Sequence, residues 1–390
     1  MFYNIDMDAF ERLSLLSTQT ELEPSEEMNS LGYSPRIKKR SDPGICTYAA
    51  TLPNGHTISL LKMLMSSSCE RNCNYCPFRA GRDFNRVTLK PAEFAKLFIN
   101  LHRAGIVQGL FLSSGVINGS IKTQDLLLET AEILRYRAGF RGYLHIKLMP
   151  GAEWSQVEKS MRLADRVSIN LEAPNTFRLE RLAPHKRFME ELLQPLHWVK
   201  EIKDNQPPYK GWNGYWPSST TQFVMGAAGE SDLELLHTTE GLYYELGLRR
   251  VYYSAFRPYP DTPLESQEPG SPAREQRLYQ ASYLLRDYDF TLEELPFDQM
   301  QNLPLDVDPK LAWARAHLSE HPIEINRADR QELLRVPGIG LKGANAILEV
   351  RRNQMLRDLS SLFKLGIQTH RAAPFILLDG KRPIYQLVFW

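Results

Sequence analysis

The sequence predicts an α/β fold, a parallel sheet built from six βα units, followed by a small all-α domain. Three observations carry this expectation. Between residues 56 and 256, short apolar β-rich runs alternate six times with segments of helical spacing, the pattern of a parallel sheet covered by helices rather than of segregated α and β layers. A loop holding three cysteines follows the first of those runs. Toward the C-terminus the balance turns basic, with eleven Lys and Arg against six Asp and Glu from His321 to Trp390, on a chain of formal net charge +1.

The elements follow in order. Residues 1–55 contain Glu21-Leu-Glu-Pro-Ser-Glu-Glu27 and Pro35-Arg-Ile-Lys-Lys-Arg-Ser-Asp-Pro-Gly44, runs of charge, Ser and Pro that read as an irregular N-terminal extension. Its basic patch, Arg36 to Arg40, reads as a solvated segment. Thr57–Met65 is the strand that enters the cysteine loop. Pro91–Ala104 has helical spacing of Phe94, Leu97, Phe98 and Leu101. Strands are then expected at 109–112, 142–148, 166–171, 220–225 and 249–256. Helices are expected near 123–137, 155–164, 189–203 and 232–246. At 390 residues the length exceeds one average domain, and the boundaries are placed at 1–55, 56–300 and 301–390. No apolar run approaches the roughly 20 residues of a membrane span, and the acidic N-terminus lacks the order of a signal peptide. The expectation is a cytoplasmic chain whose thiols stay reduced.

The cysteine run reads Cys69-Glu70-Arg71-Asn72-Cys73-Asn74-Tyr75-Cys76. Three thiolates so spaced can hold three corners of a 4Fe–4S cubane and leave the fourth iron open to a substrate or cosubstrate. Structural zinc is the other reading. It needs a fourth ligand, for which Cys46 and His56 lie upstream. The C-x3-C-x2-C spacing, with Tyr75 before the last cysteine, resembles the radical S-adenosylmethionine (SAM) superfamily. That resemblance implies a partial (βα)6 TIM-like barrel with a cluster on Cys69, Cys73 and Cys76. It implies SAM chelating the open iron, and reductive cleavage of SAM to methionine and a 5′-deoxyadenosyl radical.

Parallel barrels place their chemistry at the C-terminal ends of the strands. Ser113-Ser114-Gly115 stands where the superfamily usually has Gly-Gly-Glu, so the carboxylate that would hold the SAM amino group is missing. Gly115 still allows close backbone approach. On the third strand, alternation puts His145 and Lys147 on one face. Facing inward, Lys147 is a cation for the SAM carboxylate or a substrate phosphate; facing outward, it is solvated. On the fourth strand Ser168, Asn170 and Glu172 alternate with Val167, Ile169 and Leu171. A buried polar group without a partner costs about 1–3 kcal/mol, so such a row reads as the lining of a ligand pocket. The resemblance implies contacts there with the ribose and methionine portions of SAM. Gly226-Ala-Ala-Gly-Glu230 resembles the glycine-containing turn against which SAM packs, although the same sequence also makes an ordinary turn. The backbone edge of the sixth strand at Tyr252-Tyr253-Ser254-Ala255-Phe256, represented by Tyr253, is placed for the adenine, as is Tyr75.

Leu333-Leu334-Arg335-Val336-Pro337-Gly338-Ile339-Gly340-Leu341-Lys342-Gly343 resembles a helix–hairpin–helix DNA-binding motif. A helix stops at Pro337, a tight hairpin follows, and a second helix opens with backbone N–H groups suited to phosphate, Lys342 beside them. Gly338, Ile339, Gly340, Lys342 and Gly343 are the nucleic-acid-binding candidates. A second, degenerate copy is expected at Asp358–Ile367. Taken with Gly109-Leu-Phe-Leu-Ser-Ser-Gly-Val116, Leu182-Ala-Pro-His-Lys186 and Arg250-Val-Tyr-Tyr-Ser-Ala-Phe256, the sequence closely resembles the bacterial family of DNA modification/repair radical SAM proteins over about residues 55–390. This implies DNA as partner, an associated uracil-DNA-glycosylase-like protein, and an electron donor such as flavodoxin or ferredoxin. The alternatives are a radical SAM enzyme acting on RNA and a non-catalytic nucleic-acid-binding protein stabilised by a structural metal.

Overall fold

The computed structural model describes residues 9–20, 22, 47–51 and 55–385. The chain forms two compact units, Met1–Glu230 with Gly241–Ser271, and Ser231–Glu240 with Pro272–Trp390. The second unit therefore takes in the segment from Pro272 to residue 300 that the sequence had grouped with the barrel. The reason is aromatic packing, since Phe290 meets Trp313 edge-on at 5.7 Å.

The first unit is a half-barrel on a seven-stranded sheet, β1 (Thr47–Thr51), β2 (Thr57–Leu64), β3 (Gly109–Ser113), β4 (Tyr143–Lys147), β5 (Arg166–Ser168), β6 (Ser218–Met225) and β7 (Arg250–Ala255), paired in that order. The six strands from β2 to β7 are parallel. Strand β1 runs antiparallel to β2, Ala50 opposite Ile58. That strand and the helix α1 (Ala9–Thr20) lie in a stretch expected to be irregular. Tyr48, Leu13 and Leu16 are buried there, which local composition does not reveal. Arg36–Arg40 and Cys46 lie outside the described residues.

Helices α2 (Pro91–Arg103), α3 (Ser120–Glu132), α4 (Trp154–Leu163), α5 (Thr176–Leu182), α6 (Gln194–Asn205) and α7 (Asp232–Tyr244) alternate with the strands. Their starts are set locally. Pro91 opens α2, and the Glu93 carboxylate accepts from the Lys90 backbone N–H. Asn175 Oδ1 caps α5 by accepting from Arg178 N at 2.9 Å. A π-helical turn, Phe188–Leu193, leads into α6.

Alternation sorts the two faces of the sheet. Leu61, Met63, Leu110, Leu112, Leu144, Ile146 and Val167 are all buried and face the helices, as the contact of Thr130 on α3 with the Met65 sulfur indicates. The opposite face lines the barrel lumen. Toward its N-terminal end lies an apolar layer of Ala50, Leu60 and Phe111, with Ile58 and Tyr143 packed on it. Above this layer the lumen turns polar.

The second unit holds α8 (Pro272–Asp287), α9 (Pro309–His317), α10 (Arg330–Arg335), α11 (Leu341–Val350), α12 (Leu359–Lys364) and α13 (Thr369–Ala372), with a two-stranded parallel sheet of β8 (Ile323–Glu324) and β9 (Ile376–Leu377). Its core gathers Leu333, Leu334, Val336, Ile339, Ile347, Leu362 and Ile367. Among the described residues no helix is long and apolar enough to cross a membrane.

Candidate functional site

The three cysteines sit in the loop after β2, at the C-terminal end of the sheet. The loop is held by many hydrogen bonds. Glu70 N donates to Val116 O at 2.9 Å, Asn74 N to Leu182 O at 2.7 Å, and Ala80 N to Arg71 O at 2.8 Å. The Arg86 guanidinium donates to four carbonyls, those of Ser67, Phe78, Arg79 and Arg82. Arg71 reaches the carboxylate of Glu191, in the π-helical turn, at 2.7 Å.

Two backbone N–H groups point at sulfur, Val116 N at Cys69 Sγ and Phe78 N at Cys76 Sγ, each at 3.4 Å. Hydrogen bonds to cluster sulfurs are among the means by which a protein tunes an iron–sulfur centre. Gly115 is packed so tightly beside this loop that a Cβ on it would lie 2.1 Å from Ser68 O. Burial raises the Cys76 thiol well above its usual range, and the neighbouring Cys73 and Cys69 sulfurs add to this. Burial likewise raises Cys73, against the pull of Lys186. Without metal these are protonated thiols, and loading must displace their protons.

Zinc requires four donors around one ion. Among the described residues no group of three or more His, Cys, Asp or Glu side chains is gathered for a single ion. His56 is exposed. The donor set suits a cubane, in which each thiolate binds a different iron.

Next to the thiols lies a buried ion pair that the sequence only half revealed. Lys186 Nζ meets Glu172 Oε1 at 3.0 Å. Burial alone would lower the lysine, but the facing Cys73 and Glu172 outweigh it and raise it. The other oxygen, Glu172 Oε2, is buried without a hydrogen-bond partner among the described residues. Glu172 also has a left-handed backbone, φ 66, an uncommon conformation for a residue with a side chain and a place where functional sites store strain. Tyr75 stands beside the same carboxylate; burial and then Glu172 push its phenol well above the usual range. Nothing in the spacing of Lys186 marks it, because it joins the site only through contact with Glu172.

The lumen carries the remaining candidates. Ser168 Oγ and His145 Nε2 are 2.8 Å apart, and the imidazole stacks on Phe111 with centroids 4.0 Å apart. Burial, and then the charges of Arg166, Lys147 and Lys62, keep His145 neutral. Lys147 therefore faces the lumen, 5.7 Å over Phe111. Lys62, which the sequence did not single out, sits at 5.8 Å from the same ring. Asn170 Oδ1 and Thr220 Oγ1 are buried and unpartnered among the described residues. Ser113 is buried, and Ser114 Oγ donates to Gly115 O at 2.7 Å.

Two candidate side chains are engaged in packing and turn bonds. The Glu230 carboxylate accepts from Gly226 N and Ala228 N, so it braces its own turn. Gly226 has φ 96, and a Cβ there would come 3.0 Å from Gly270 Cα. Tyr253 is buried and in register with Phe223, the two rings 6.2 Å apart, on the helix-covered side of β7. Its neighbour Tyr252 stands on the lumen side, one step out of phase.

In the second unit, α10 and α11 are joined by the turn Val336–Gly340. Asp358 caps α12 as Asp329 caps α10, each accepting from the backbone N–H three residues on. Gly338 and Gly366 both have positive φ, 86 and 78, and the buried Ile339 and Ile367 follow them. The two turns bond to each other, Gln368 N donating to Gly338 O at 3.2 Å. Ile339 and Gly343 are thus packing residues: Ile339 is 1% exposed, and a Cβ on Gly343 would meet Ile367 Cδ1 at 2.4 Å. Of the five candidates, Lys342 is exposed, and Gly338 and Gly340 are partly so.

Lys310 Nζ donates to Ile339 O at 2.7 Å beneath the first turn. Burial pushes this amine down to about 7, Arg371 adding to the effect and Asp308 opposing it. In the unfolded chain it titrates near 10.5, so between these values the unfolded state binds the extra proton. Stability should rise with pH from about 7 to about 10. Urea midpoints across that window test this, and Lys310→Met should remove the rise.

Residues 63–240 match the family model of the Radical SAM superfamily. The cofactors of such a domain are a 4Fe–4S cluster and SAM. No curated protein matches the chain. Among solved structures, the chain is similar to methylornithine synthase (PylB), at 15% identity over 58% of this chain and 61% of that one, TM-score 0.46. It is similar to the FeFe-hydrogenase maturase HydG from Carboxydothermus hydrogenoformans, at 16% identity over 58% and 51%, TM-score 0.46. It is also similar to a radical SAM methyltransferase from Sphaerobacter thermophilus, at 15% identity over 64% and 73%, TM-score 0.43. The chain spans about three fifths of the length of the first of these and half of the second.

Proposed function

We propose that the protein is a radical SAM enzyme that acts on DNA, in repair or modification, in a cytoplasmic setting. The cysteine loop carries the enzyme reading: three thiols at the mouth of a half-barrel, two of them met by backbone N–H donors, and Gly115 pressed against the Ser68–Cys69 backbone. Cys69, Cys73 and Cys76 would hold the cluster. When bound, cluster and SAM supply one-electron chemistry ending in hydrogen abstraction, with the electron from a donor such as flavodoxin or ferredoxin. The cofactor brings the hard chemistry and the protein orients it. Glu172 would take the role left vacant by Ser113-Ser114-Gly115: its unpartnered Oε2 would receive the SAM ammonium, while Lys186 holds the other oxygen in place. Lys147 and Asn170 meet the polar parts of the ligand in the lumen. Arg86 and Arg71 hold the loop in place.

The DNA part of the reading is supported by the paired turns of the second unit, their positive-φ glycines, exposed Lys342 and the basic C-terminal balance. A helix–hairpin–helix pair of this kind grips phosphates without reading sequence. A uracil-DNA-glycosylase-like partner fits a repair setting. Lys342→Glu should weaken duplex binding and lower the slope of log affinity against log salt by about one. Equal affinity and slope in titrations of wild type and variant would remove the hairpin from the mechanism. Preference for RNA over duplex DNA in competition would move the substrate to RNA.

A further inference from the structure

The cations around the cysteine loop divide by what neutralises them. Arg71 is paired with Glu191 at 2.7 Å and Lys186 with Glu172 at 3.0 Å. Arg79, Arg82 and Arg86 bond carbonyl oxygens instead, and among the described residues none of the three forms an ion pair. Arg79 Nη2 donates to Asn72 O at 3.4 Å. Arg82 donates from Nη1 to Pro77 O and from Nε to Pro260 O, both at 2.9 Å. Asp83, in the same run, is exposed, and the Glu70 carboxylate accepts from Gly119 N.

Arg86 is tied to both ends of the cysteine run. Its Nη1 donates to Ser67 O at 3.2 Å and to Phe78 O at 3.1 Å, and Phe78 is the residue whose N–H meets Cys76 Sγ. The guanidinium thus bridges the chain just before Cys69 and just after Cys76. Phe84 covers it, the ring centroid 4.3 Å away, and packs on Phe78 with centroids 6.0 Å apart. Burial lowers the arginine, while the Cys69 and Cys76 sulfurs act in the opposite sense.

A loop that needed only a brace could use neutral amide donors and avoid sheltering an unpaired charge, which is costly. Negative charge between the thiols removes that cost. A cubane on three thiolates is anionic, reduction adds an electron to it, and nearby charge helps to set the potential of such a centre. We propose, resting on the cluster reading above, that Arg86 is a redox-positioning residue. Its unpaired charge favours the reduced cluster and raises the potential at which iron held on Cys69, Cys73 and Cys76 accepts an electron, and Arg79 acts in the same sense. Arginine stays charged throughout, so the effect is fixed and does not follow pH.

The test reads the cluster's midpoint potential in the full chain, reconstituted anaerobically, without SAM, from its spectrum during a redox titration. Arg86→Gln keeps a donor for the carbonyls and loses the charge; Arg86→Lys keeps the charge with fewer bonds. Arg86→Gln should lower the midpoint by about 59 mV, a tenfold fall in the ratio of reduced to oxidised cluster at a fixed potential. Arg86→Lys should stay near wild type. Equal midpoints in all three proteins would overturn the proposal. So would a fall in Arg86→Lys as deep as that in Arg86→Gln, because bracing and not charge would then set the potential. Should Arg86→Gln take up no iron, Arg79→Gln gives the answer, since that side chain gives up only its bond to Asn72 O. A lower midpoint there supports the role of the unpaired cations, and an unchanged one rejects it. If the wild type takes up zinc and no iron, the cluster reading itself fails, and this proposal with it.

Discussion

Cys73→Ala should give a colourless protein that makes no 5′-deoxyadenosine from SAM under strong reductant. Cys73 is the fully buried member of the three cysteines, 6% exposed, and it faces both Lys186 and Glu172. Losing an outer partner of a metal ligand typically costs about 10–100-fold in affinity or activity. Losing a ligand itself should exceed that, and iron per chain after anaerobic reconstitution should fall with the activity. A Cys73→Ala protein that keeps both iron and SAM cleavage would overturn the assignment of the loop. Tight zinc near one per chain in the wild type, with no iron taken up, would instead make the barrel a binding scaffold.

Lys186→Met should be the most destabilising single change near the site. It strands the Glu172 carboxylate in a buried position and in a left-handed backbone. Breaking a buried pair on one side costs about 3–5 kcal/mol, whereas replacing both partners is often close to neutral. Urea unfolding should therefore show a large loss for Lys186→Met and a much smaller one for Lys186→Met with Glu172→Gln. SAM affinity should stay poor in both, because each lacks a Glu172 carboxylate held in place by Lys186. Recovery of SAM binding in the double variant would show that the pair serves packing alone.

Much of this site could be read from the sequence because its chemistry lies in short spacings. The cysteine run needs only the order of eight residues, and the polar row Ser168, Asn170, Glu172 needs only alternation. What stayed hidden depends on contacts between distant segments. Lys186 becomes a site residue by bonding a carboxylate fourteen positions away across a turn, and Lys62 by sharing Phe111 with Lys147. Tyr252 and Tyr253 show what composition leaves open: adjacent tyrosines on one strand are equivalent, and only register with Phe223 decides which ring enters the lumen, while the backbone edge expected at the adenine does not depend on that choice. Ile339 and Gly343 illustrate a different limit. A binding motif and the packing that supports it share the same letters, and here a neighbouring turn claims those two positions. Strand β1 and helix α1 were missed because their burial comes from partners elsewhere in the chain, such as the bond from Leu64 N to Thr20 Oγ1.

The apolar layer of Ala50, Leu60 and Phe111 underlies Lys62 and Lys147, whose amines sit over the face of Phe111. Charge held against so apolar a floor is little screened by water on that side, and an anionic ligand in the lumen would feel both amines more strongly than it would at an open surface.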